Sequence, residues 1–246
     1  MYTDILDTAQ IVDFEIEGLH EETGPGCMEA AIGISEGTAS ADKTALFKTM
    51  TKILCQKVDL MATFMAKWSP DWPGQSGHIH VSLRDKKGKS VFYDVKKPNN
   101  MSDEIRYFVG GPQKLMPELL AMIAPTVNSF TRLIPGFWAP TEASWGIDNR
   151  TCALRGIPGS AKSQRVEYRI ATAGSNPYLA LAASVGAGLW GIENKIEPEK
   201  SGERNTYEKN LPAEITYTGN STRLRDDLKH PNLPVNCSGI LSSITM

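Results

Sequence analysis

Apolar residues recur at helical spacing in three stretches of the chain. Residues 4–19 mix acidic and apolar side chains, which predicts an amphipathic helix. A longer helix is predicted from Asp42 to Lys67, with Ser40 as its N-cap and with its apolar residues, methionines included, in the core. A third helix is predicted over residues 112–134, opened by a Gly-Pro pair.

Alternation of polar and apolar residues predicts the strands. GHIHVSLRD alternates with a period of two, and a KKGK turn leads from it to SVFYD as a hairpin partner. CMEAAIGI, RTCALRG and RVEYRIAT are interpreted as further strands. Asn176-Pro177 opens a helix that is predicted to end at Pro198. Because the elements show no βαβ rhythm, we expect an α+β fold built on antiparallel sheet.

Composition narrows the classes of partner. The 246 residues carry 26 Lys and Arg against 28 Asp and Glu, a net charge of −2, which favours neither nucleic acid nor a membrane surface. Basic residues cluster between Arg150 and Arg169, and in a nearly neutral protein this favours a small anionic ligand. The widely spaced cysteines argue against a zinc site and a disulfide scaffold, so the cytoplasm is the expected compartment. We expect neither a transmembrane helix nor a secretion signal.

Two predicted strands place ionisable groups on one face. Alternation along the first strand groups His78, His80 and Ser82. Alternation along RVEYRIA groups Arg165, Glu167 and Arg169. Imidazole and carboxylate suit a hard divalent cation, and arginine suits phosphate. Taken singly, an HxH pair or an RxExR run is more often a hydrogen-bonded or salt-bridged face than a ligand site.

The order of the motifs is a stronger signal than any one of them. The chain contains, in sequence, HEETGPGCME, GQSGHIHVSL, NSFTRLIPGFWAP, NRTCALR, KSQRVEYR and NPYLALAA with GIENKIEP. Over about residues 4–200 it resembles the catalytic domain of glutamine synthetases, especially the branch that includes γ-glutamylpolyamine synthetases. The resemblance implies an antiparallel half-barrel with flanking helices, similar to guanidino kinases. It also implies an ATP-dependent ligase that joins glutamate to an amine through γ-glutamyl phosphate.

The resemblance implies roles for individual residues at the metal and nucleotide sites. Glu22 and Glu29 match ligands of one Mg²⁺ or Mn²⁺ ion, and His78 and Glu167 match ligands of a second ion. Glu21, next to Glu22, is a less expected ligand by the family spacing. The residues that match contacts to ATP and its phosphates are His20, His80, Ser82, Arg150, Arg155 and Arg165.

The resemblance also implies a substrate site. Gly74 matches a glycine whose backbone meets glutamate, and Arg132 and Arg169 match clamps on its carboxylate and phosphate. Arg150 and Arg169 are the expected catalytic residues. Trp138 stands in the flap where ammonia-using members carry a glutamate. Tryptophan cannot accept a proton and suits a pocket for a longer amine, so an organic amine is the expected acceptor. Glutamine synthetase proper is the nearest alternative.

The family pattern has parts that precede the first residue of this chain. They are a small N-terminal β-domain and an early catalytic strand with metal-binding glutamates. Residues 1–246 are therefore expected to form a truncated catalytic domain whose tail, from residue 200, is irregular. Family members assemble into rings, so a homo-oligomer is expected of a full-length parent. Two other interpretations stay open: a noncatalytic nucleotide- or metal-binding remnant, and a guanidino phosphotransferase, which the GHIH motif disfavours.

Overall fold

The helices and strands are described by a computed structural model that covers residues 1–134, 136–137, 139–202, 205–206 and 244–245. The helices are α1 (Tyr2–Ile11), α2 (Ala39–Gln56), α3 (Asp103–Ile123), α4 (Val127–Arg132) and α5 (Pro177–Glu193), with a 3-10 turn at Pro98–Asn100. The strands are β1 (Ile16–Glu21), β2 (Met28–Ile32), β3 (Ile79–Leu83), β4 (Trp145–Ile147), β5 (Leu154–Ile157), β6 (Arg165–Tyr168) and β7 (Ile244–Thr245). The predicted α+β class is confirmed.

Two sheets carry the strands of the described chain. β1 and β2 form an antiparallel pair, and the larger sheet has the order β4-β5-β6-β3-β7. Its neighbours pair antiparallel except β4 and β5, which run parallel. In the β3–β6 register His80 lies opposite Glu167, and in the β5–β6 register Arg155 also lies opposite Glu167. The predicted polar faces of β3 and β6 therefore meet.

The main core lies between the larger sheet and the helices α3 and α5. Val81, Leu154 and Val166 of the sheet are buried with Phe108 and Met116 of α3. The two helices approach so closely that a Cβ on Gly111 would lie 2.0 Å from the Ala187 carbonyl oxygen. A smaller cluster of Ile5, Ala9, Phe14 and Met50 packs α1 against α2. Close packing behind the sheet fixes the positions of the strands that carry the candidate site.

The two predicted N-terminal helices are wrong in extent. The helix predicted over 4–19 ends at Ile11, and residues 16–21 form β1 because they pair with β2. The helix predicted to reach Lys67 ends at Gln56, followed by Asp59 with a φ of 57°. Met61 in the nonhelical continuation is 90% exposed, so it is not core. Ser40 is inside the first turn and Thr38 holds the N-cap position, so the predicted cap is also wrong.

The predicted boundaries of two later helices are also wrong. α3 begins eight residues before the Gly-Pro pair because the Ser102 hydroxyl caps it, accepting the Ile105 N–H at 3.2 Å. Helix stops at Ile123, and α4 then starts from its own cap at Thr126. At α5 the predicted start is confirmed, since the Asn176 side chain accepts the Tyr178 N–H at 2.9 Å. That helix ends at Glu193, short of Pro198.

The segments that flank β3 differ from prediction as well. SVFYD meets the strand through the isolated Arg84–Ser90 bridge and a Val91 N–H bond to the Leu83 carbonyl, and forms no regular strand. β7 pairs with Ser82 and Leu83, so the tail is not irregular throughout. The tail residues 203–204, 207–243 and 246 lie outside the described residues. Among the helices of the described chain, none has the length and apolar character needed to span a membrane.

Candidate active site

Glu167 is the centre of the polar face on the larger sheet. Its side chain is 3% exposed, and both carboxylate oxygens are hydrogen-bonded. Oε1 accepts from Arg169 Nη1 at 2.5 Å and lies 3.2 Å from His78 Nδ1, while Oε2 accepts from Arg155 Nη1 at 3.0 Å. Burial alone would raise the pKa of Glu167, but His78, Arg169, His80 and Arg155 together lower it. The carboxylate is therefore held ionised between the Arg155 and Arg169 guanidinium groups.

His78, just before β3, and His80, within it, are held in their neutral form. Burial, reinforced by Arg169 and opposed by Glu167, lowers the pKa of His78 to about 3. Burial also lowers the pKa of His80, with Glu167 opposing and Arg165 adding to the shift. Arg165 Nε donates to His80 Nδ1 at 3.0 Å, which requires an unprotonated nitrogen. Neutral imidazole is the form that coordinates a metal ion.

The Arg155 side chain connects the hub, the cluster of side chains around Glu167, to an open cleft. It donates Nε to Asp148 Oδ1 at 3.0 Å and also pairs with Glu167. The cleft has a volume of about 770 Å³ and is lined by Ile147, Asp148, Asn149, Arg150, Arg155, Ser201, Gly202 and Asn205. Arg150 is exposed at its wall. Two of the arginines predicted to contact phosphate therefore border one cleft.

Gly74 and Arg132 lie in contact with each other, next to the segment that follows β6. A Cβ on Gly74 would fall 2.4 Å from the Ala66 carbonyl oxygen and 2.7 Å from Arg132 Cγ, so only glycine fits there. The Arg132 side chain is 3% exposed and donates to the carbonyls of Ile170 at 2.9 Å and Arg169 at 3.2 Å. In this arrangement it holds the segment just after β6, and its predicted role as a carboxylate clamp stays a prediction.

The second cluster lies on the two-stranded sheet. His20, Glu22 and Glu29 bring one ligand atom each within 4.8 Å of one another, and all three side chains are exposed. His20 Nε2 is 3.3 Å from Glu22 Oε1 and 3.9 Å from Glu29 Oε2. The turn between β1 and β2 closes through Glu22 N–H to the Cys27 carbonyl, which brings the two glutamates together. Imidazole and carboxylate are suitable ligands for a divalent cation.

The two clusters interact electrostatically. Burial raises the pKa of Glu29, the neighbouring Glu22 raises it further, and Glu167 contributes in the same direction. His20 opposes the shift. The charge of Glu167 on the larger sheet thus influences the pKa of Glu29 on the smaller one.

The structure brings most of the predicted site residues together. His78, His80, Arg155, Arg165, Arg169 and Glu167 form the hub, and His20, Glu22 and Glu29 form the adjacent cluster. Ser82 lies further along β3, paired through its backbone with Thr245. Trp138 lies outside the described residues. Asp148 was missed by the sequence analysis, although an acid in GIDNR, shortly before Arg150 and Arg155, is a signal that could have found it.

Comparison with known families identifies the family to which this geometry belongs. The family described as "Glutamine synthetase, catalytic domain" matches residues 1–230. The chain belongs to the glutamine synthetase catalytic-domain family. This match confirms the resemblance carried by the ordered motifs, and the family consists of ligases.

Individual relatives of this glutamine synthetase-family chain differ in their amine. It is 50% identical over 183 residues to "Type-1 glutamine synthetase 2" of Dictyostelium discoideum, covering 74% of this chain and 35% of that protein. It is 40% identical over 192 residues to the glutamate–isopropylamine ligase of a Pseudomonas species, covering 78% and 42%. It is 36% identical over 206 residues to the γ-glutamylputrescine synthetase of Escherichia coli K12, covering 83% and 43%. The chain thus spans less than half the length of these relatives.

Proposed function

We propose that this chain carries nucleotide, metal and glutamate contacts of an ATP-dependent ligase that forms a γ-glutamyl amide through γ-glutamyl phosphate. The ligase class comes from the family, and the substrates are our proposal. The observation that carries it is the convergence of His78, Arg155 and Arg169 on the buried Glu167 carboxylate. An ionised acid, a neutral imidazole and fixed guanidinium groups are suited to phosphoryl transfer, which depends on positioning and charge neutralisation.

The donor sets fit Mg²⁺ or Mn²⁺. Glu22 and Glu29, with His20 beside them, would hold one ion, and His78 with Glu167 would hold the other. Bound ions would neutralise phosphate charge and polarise the transferred phosphoryl group. The low pKa of His78 keeps its ring unprotonated at neutral pH, so a proton does not compete for the coordinating nitrogen.

The arginines supply the anion-binding part of the proposed mechanism. Arg169 Nε is buried and has no hydrogen-bond partner in the described chain, so this N–H is available to a ligand oxygen. Arg150 and Arg155, which border the cleft, are assigned to the nucleotide phosphates. In the reaction the γ-carboxylate of glutamate bonds to the γ-phosphorus of ATP and ADP leaves. The amine then bonds to the acyl carbon, phosphate leaves, and the amine loses a proton.

We assign an organic amine as the acceptor, because Trp138 occupies the sequence position of a proton-accepting glutamate. Relatives that use isopropylamine and putrescine, by their names, are compatible with this choice. Ammonia is the second candidate, supported by the 50% identity to a protein named as a glutamine synthetase. The proposal also includes a half-barrel sheet, a cytoplasmic location and a homo-oligomeric ring formed by a full-length parent.

Calorimetric titration of the chain with ADP and Mn²⁺ tests the site first. We expect binding that a His78→Ala, Glu167→Ala variant abolishes. Glu193→Ala, a change in an exposed acid at the end of α5, is the control and should bind like the unchanged chain. Circular dichroism spectra of all three must match before affinities are compared. Absence of binding by the unchanged chain would contradict a nucleotide site in these residues.

The acceptor is tested by measuring phosphate release and γ-glutamyl amide formation with ATP, Mn²⁺ and glutamate. Ammonium, isopropylamine, ethanolamine and putrescine are compared at equal concentration of free base. A higher kcat/KM for an organic amine supports the assignment, and a clear preference for ammonium overturns it. Phosphorylation of a guanidino compound in the same assay would favour the phosphotransferase interpretation instead.

A further inference from the structure

Lys67 has a fixed main chain beside the substrate contacts assigned above. Its N–H donates to Asn128 Oδ1 at 3.0 Å, and its carbonyl accepts from Asn128 Nδ2 at 2.6 Å. The preceding residue, Ala66, accepts the Gln75 N–H at 2.7 Å and packs against Gly74. Asn128 belongs to α4, the helix that ends at Arg132. Lys67 is therefore tied both to the Gly74 segment and to the helix that supplies Arg132.

The ammonium group of Lys67 is buried in an unusual environment. The residue is 4% exposed, and Nζ has no hydrogen-bond partner among the described residues. It lies 4.3 Å from the centre of the Phe137 ring. Burying an ammonium ion without compensation is costly, and here the aromatic face is the compensation that the described chain supplies. A lysine that served only as a packing stem would place its charge in water, as lysines ordinarily do.

Phe137 stands on the turn that follows Arg132. The turn is closed by the Phe137 N–H bonding the Ile134 carbonyl at 3.3 Å and the Ile134 N–H bonding the Arg132 carbonyl at 2.8 Å. Gly136 has a φ of 84°, a left-handed conformation that glycine adopts without strain. In addition to these backbone bonds, the contact between Lys67 and Phe137 attaches the turn to the rest of the chain. Phe137 itself is 36% exposed.

We propose that Lys67 is a positioning residue whose buried ammonium, held against the Phe137 ring, fixes the turn after Arg132 over the Gly74 segment. The relevance of this turn to glutamate or amine binding rests on the proposed function. The contact itself does not depend on it. Because the attraction acts between a charge and a ring face, it needs the cation and the aromatic ring together.

Hydrogen exchange of the full chain tests the proposal through the amides of Leu133, Ile134 and Phe137. Lys67→Met keeps an apolar stem and removes the charge, and we expect exchange at the turn to accelerate about tenfold. Phe137→Leu should have a similar effect. The double variant should exchange no faster than either single variant, because both changes remove one contact. Lys67→Arg should remain near the unchanged chain, since guanidinium also stacks on aromatic rings.

Lys114 provides a matched control. Its Nζ lies 6.0 Å from the Trp190 ring, and the side chain is exposed, so Lys114→Met removes a comparable charge without touching the turn. Unchanged exchange at the turn in Lys67→Met, or additive effects in the double variant, would overturn the proposal. An acceleration at the turn that is matched by equal acceleration at core amides would also overturn it, because it would indicate global unfolding. If Lys67→Met does not fold, Phe137→Leu and Lys67→Arg still test the contact. The measurement needs no nucleotide, so its failure is distinct from failure of the ligase proposal.

Discussion

The two candidate metal clusters differ in how far their negative charge is balanced. On the larger sheet, Glu167 is 3% exposed and its oxygens are shared among His78, Arg155 and Arg169. On the two-stranded sheet, Glu22 and Glu29 are 42% and 48% exposed and have one imidazole, that of His20, near both. The pKa of Glu167 is lowered by its neighbours, whereas that of Glu29 is raised by burial and by Glu22. The negative charge of Glu167 is balanced by neighbouring side chains of the fold, whereas the exposed pair of glutamates carries excess negative charge.

This difference indicates that the Glu167 hub depends mainly on folding, whereas the exposed glutamate pair depends mainly on a bound ligand. The Glu167 hub is organised by its own ion pairs, so it should persist without any ligand and contribute to the stability of the fold. The exposed pair gains little from folding and repels itself, so its geometry favours a bound cation. Variants in the first cluster should therefore be detected mainly by stability, and variants in the second by metal affinity.

The largest effect is expected from Glu167→Gln. The change leaves Arg169 and Arg155 without their buried counter-charge, and we expect the free energy of unfolding to fall by about 3–5 kcal/mol. Urea denaturation followed by circular dichroism measures it. Glu193→Gln, an exposed acid on α5, should change stability by less than about 0.5 kcal/mol. A loss at Glu167 as small as in this control would mean that the hub does not stabilise the fold.

The second effect is expected in metal binding. Glu22→Gln removes one of two carboxylates from the exposed cluster, and Mn²⁺ affinity measured by calorimetry should fall by at least about tenfold. Glu21→Gln is the matched control, because Glu21 is the adjacent acid and its carboxylate accepts the Tyr2 hydroxyl at 3.3 Å instead. Equal losses in both variants would refute the cluster as a specific cation site and would point to general electrostatic attraction.

The strands that carry the hub could be predicted from sequence because alternation has a short period. A two-residue repeat in GHIHVSL and RVEYR fixes which side chains share a face, whatever the strands pack against. The register that sets His80 opposite Glu167 depends on contacts between distant segments. The sequence therefore predicted the two sets of ionisable groups but gave no physical basis for their distances.

The helix boundaries could not be predicted because local and tertiary signals disagree. Residues 16–21 have apolar spacing compatible with a helix, but pairing with β2 decides their conformation. A Gly-Pro pair is a good helix start, yet at residues 111–112 it is buried inside α3 against α5, where Gly111 permits the close approach. The burial of the Lys67 ammonium group could not be predicted from the sequence either, because the Phe137 ring that it contacts lies on a segment distant in sequence.

A third prediction concerns acid. The pKa of His78 is about 3 in the folded chain against an ordinary value of 6.5, so below pH 6.5 the unfolded state takes up a proton that the folded state does not. The free energy of unfolding should therefore fall as the pH is lowered from 6.5 to 5. This range lies above the pH at which protonation of Glu167 would reduce its contribution to stability. In His78→Gln this slope should be shallower, as measured by urea denaturation at several pH values. An unchanged slope would mean that another group causes the acid loss.

The smallest effect concerns Glu29 and distinguishes the clusters by sign. Its pKa is raised, so the folded chain disfavours the ionised carboxylate, and the cost develops as the pH rises through its ordinary value to the folded one. At neutral pH, without metal, Glu29→Gln should therefore be slightly more stable than the unchanged chain. With Mn²⁺ the order should reverse, because the variant has lost a ligand. Thermal melts with and without Mn²⁺ measure both. If Glu29→Gln is less stable without metal, the exposed pair is structural like Glu167, and the contrast between the two clusters fails.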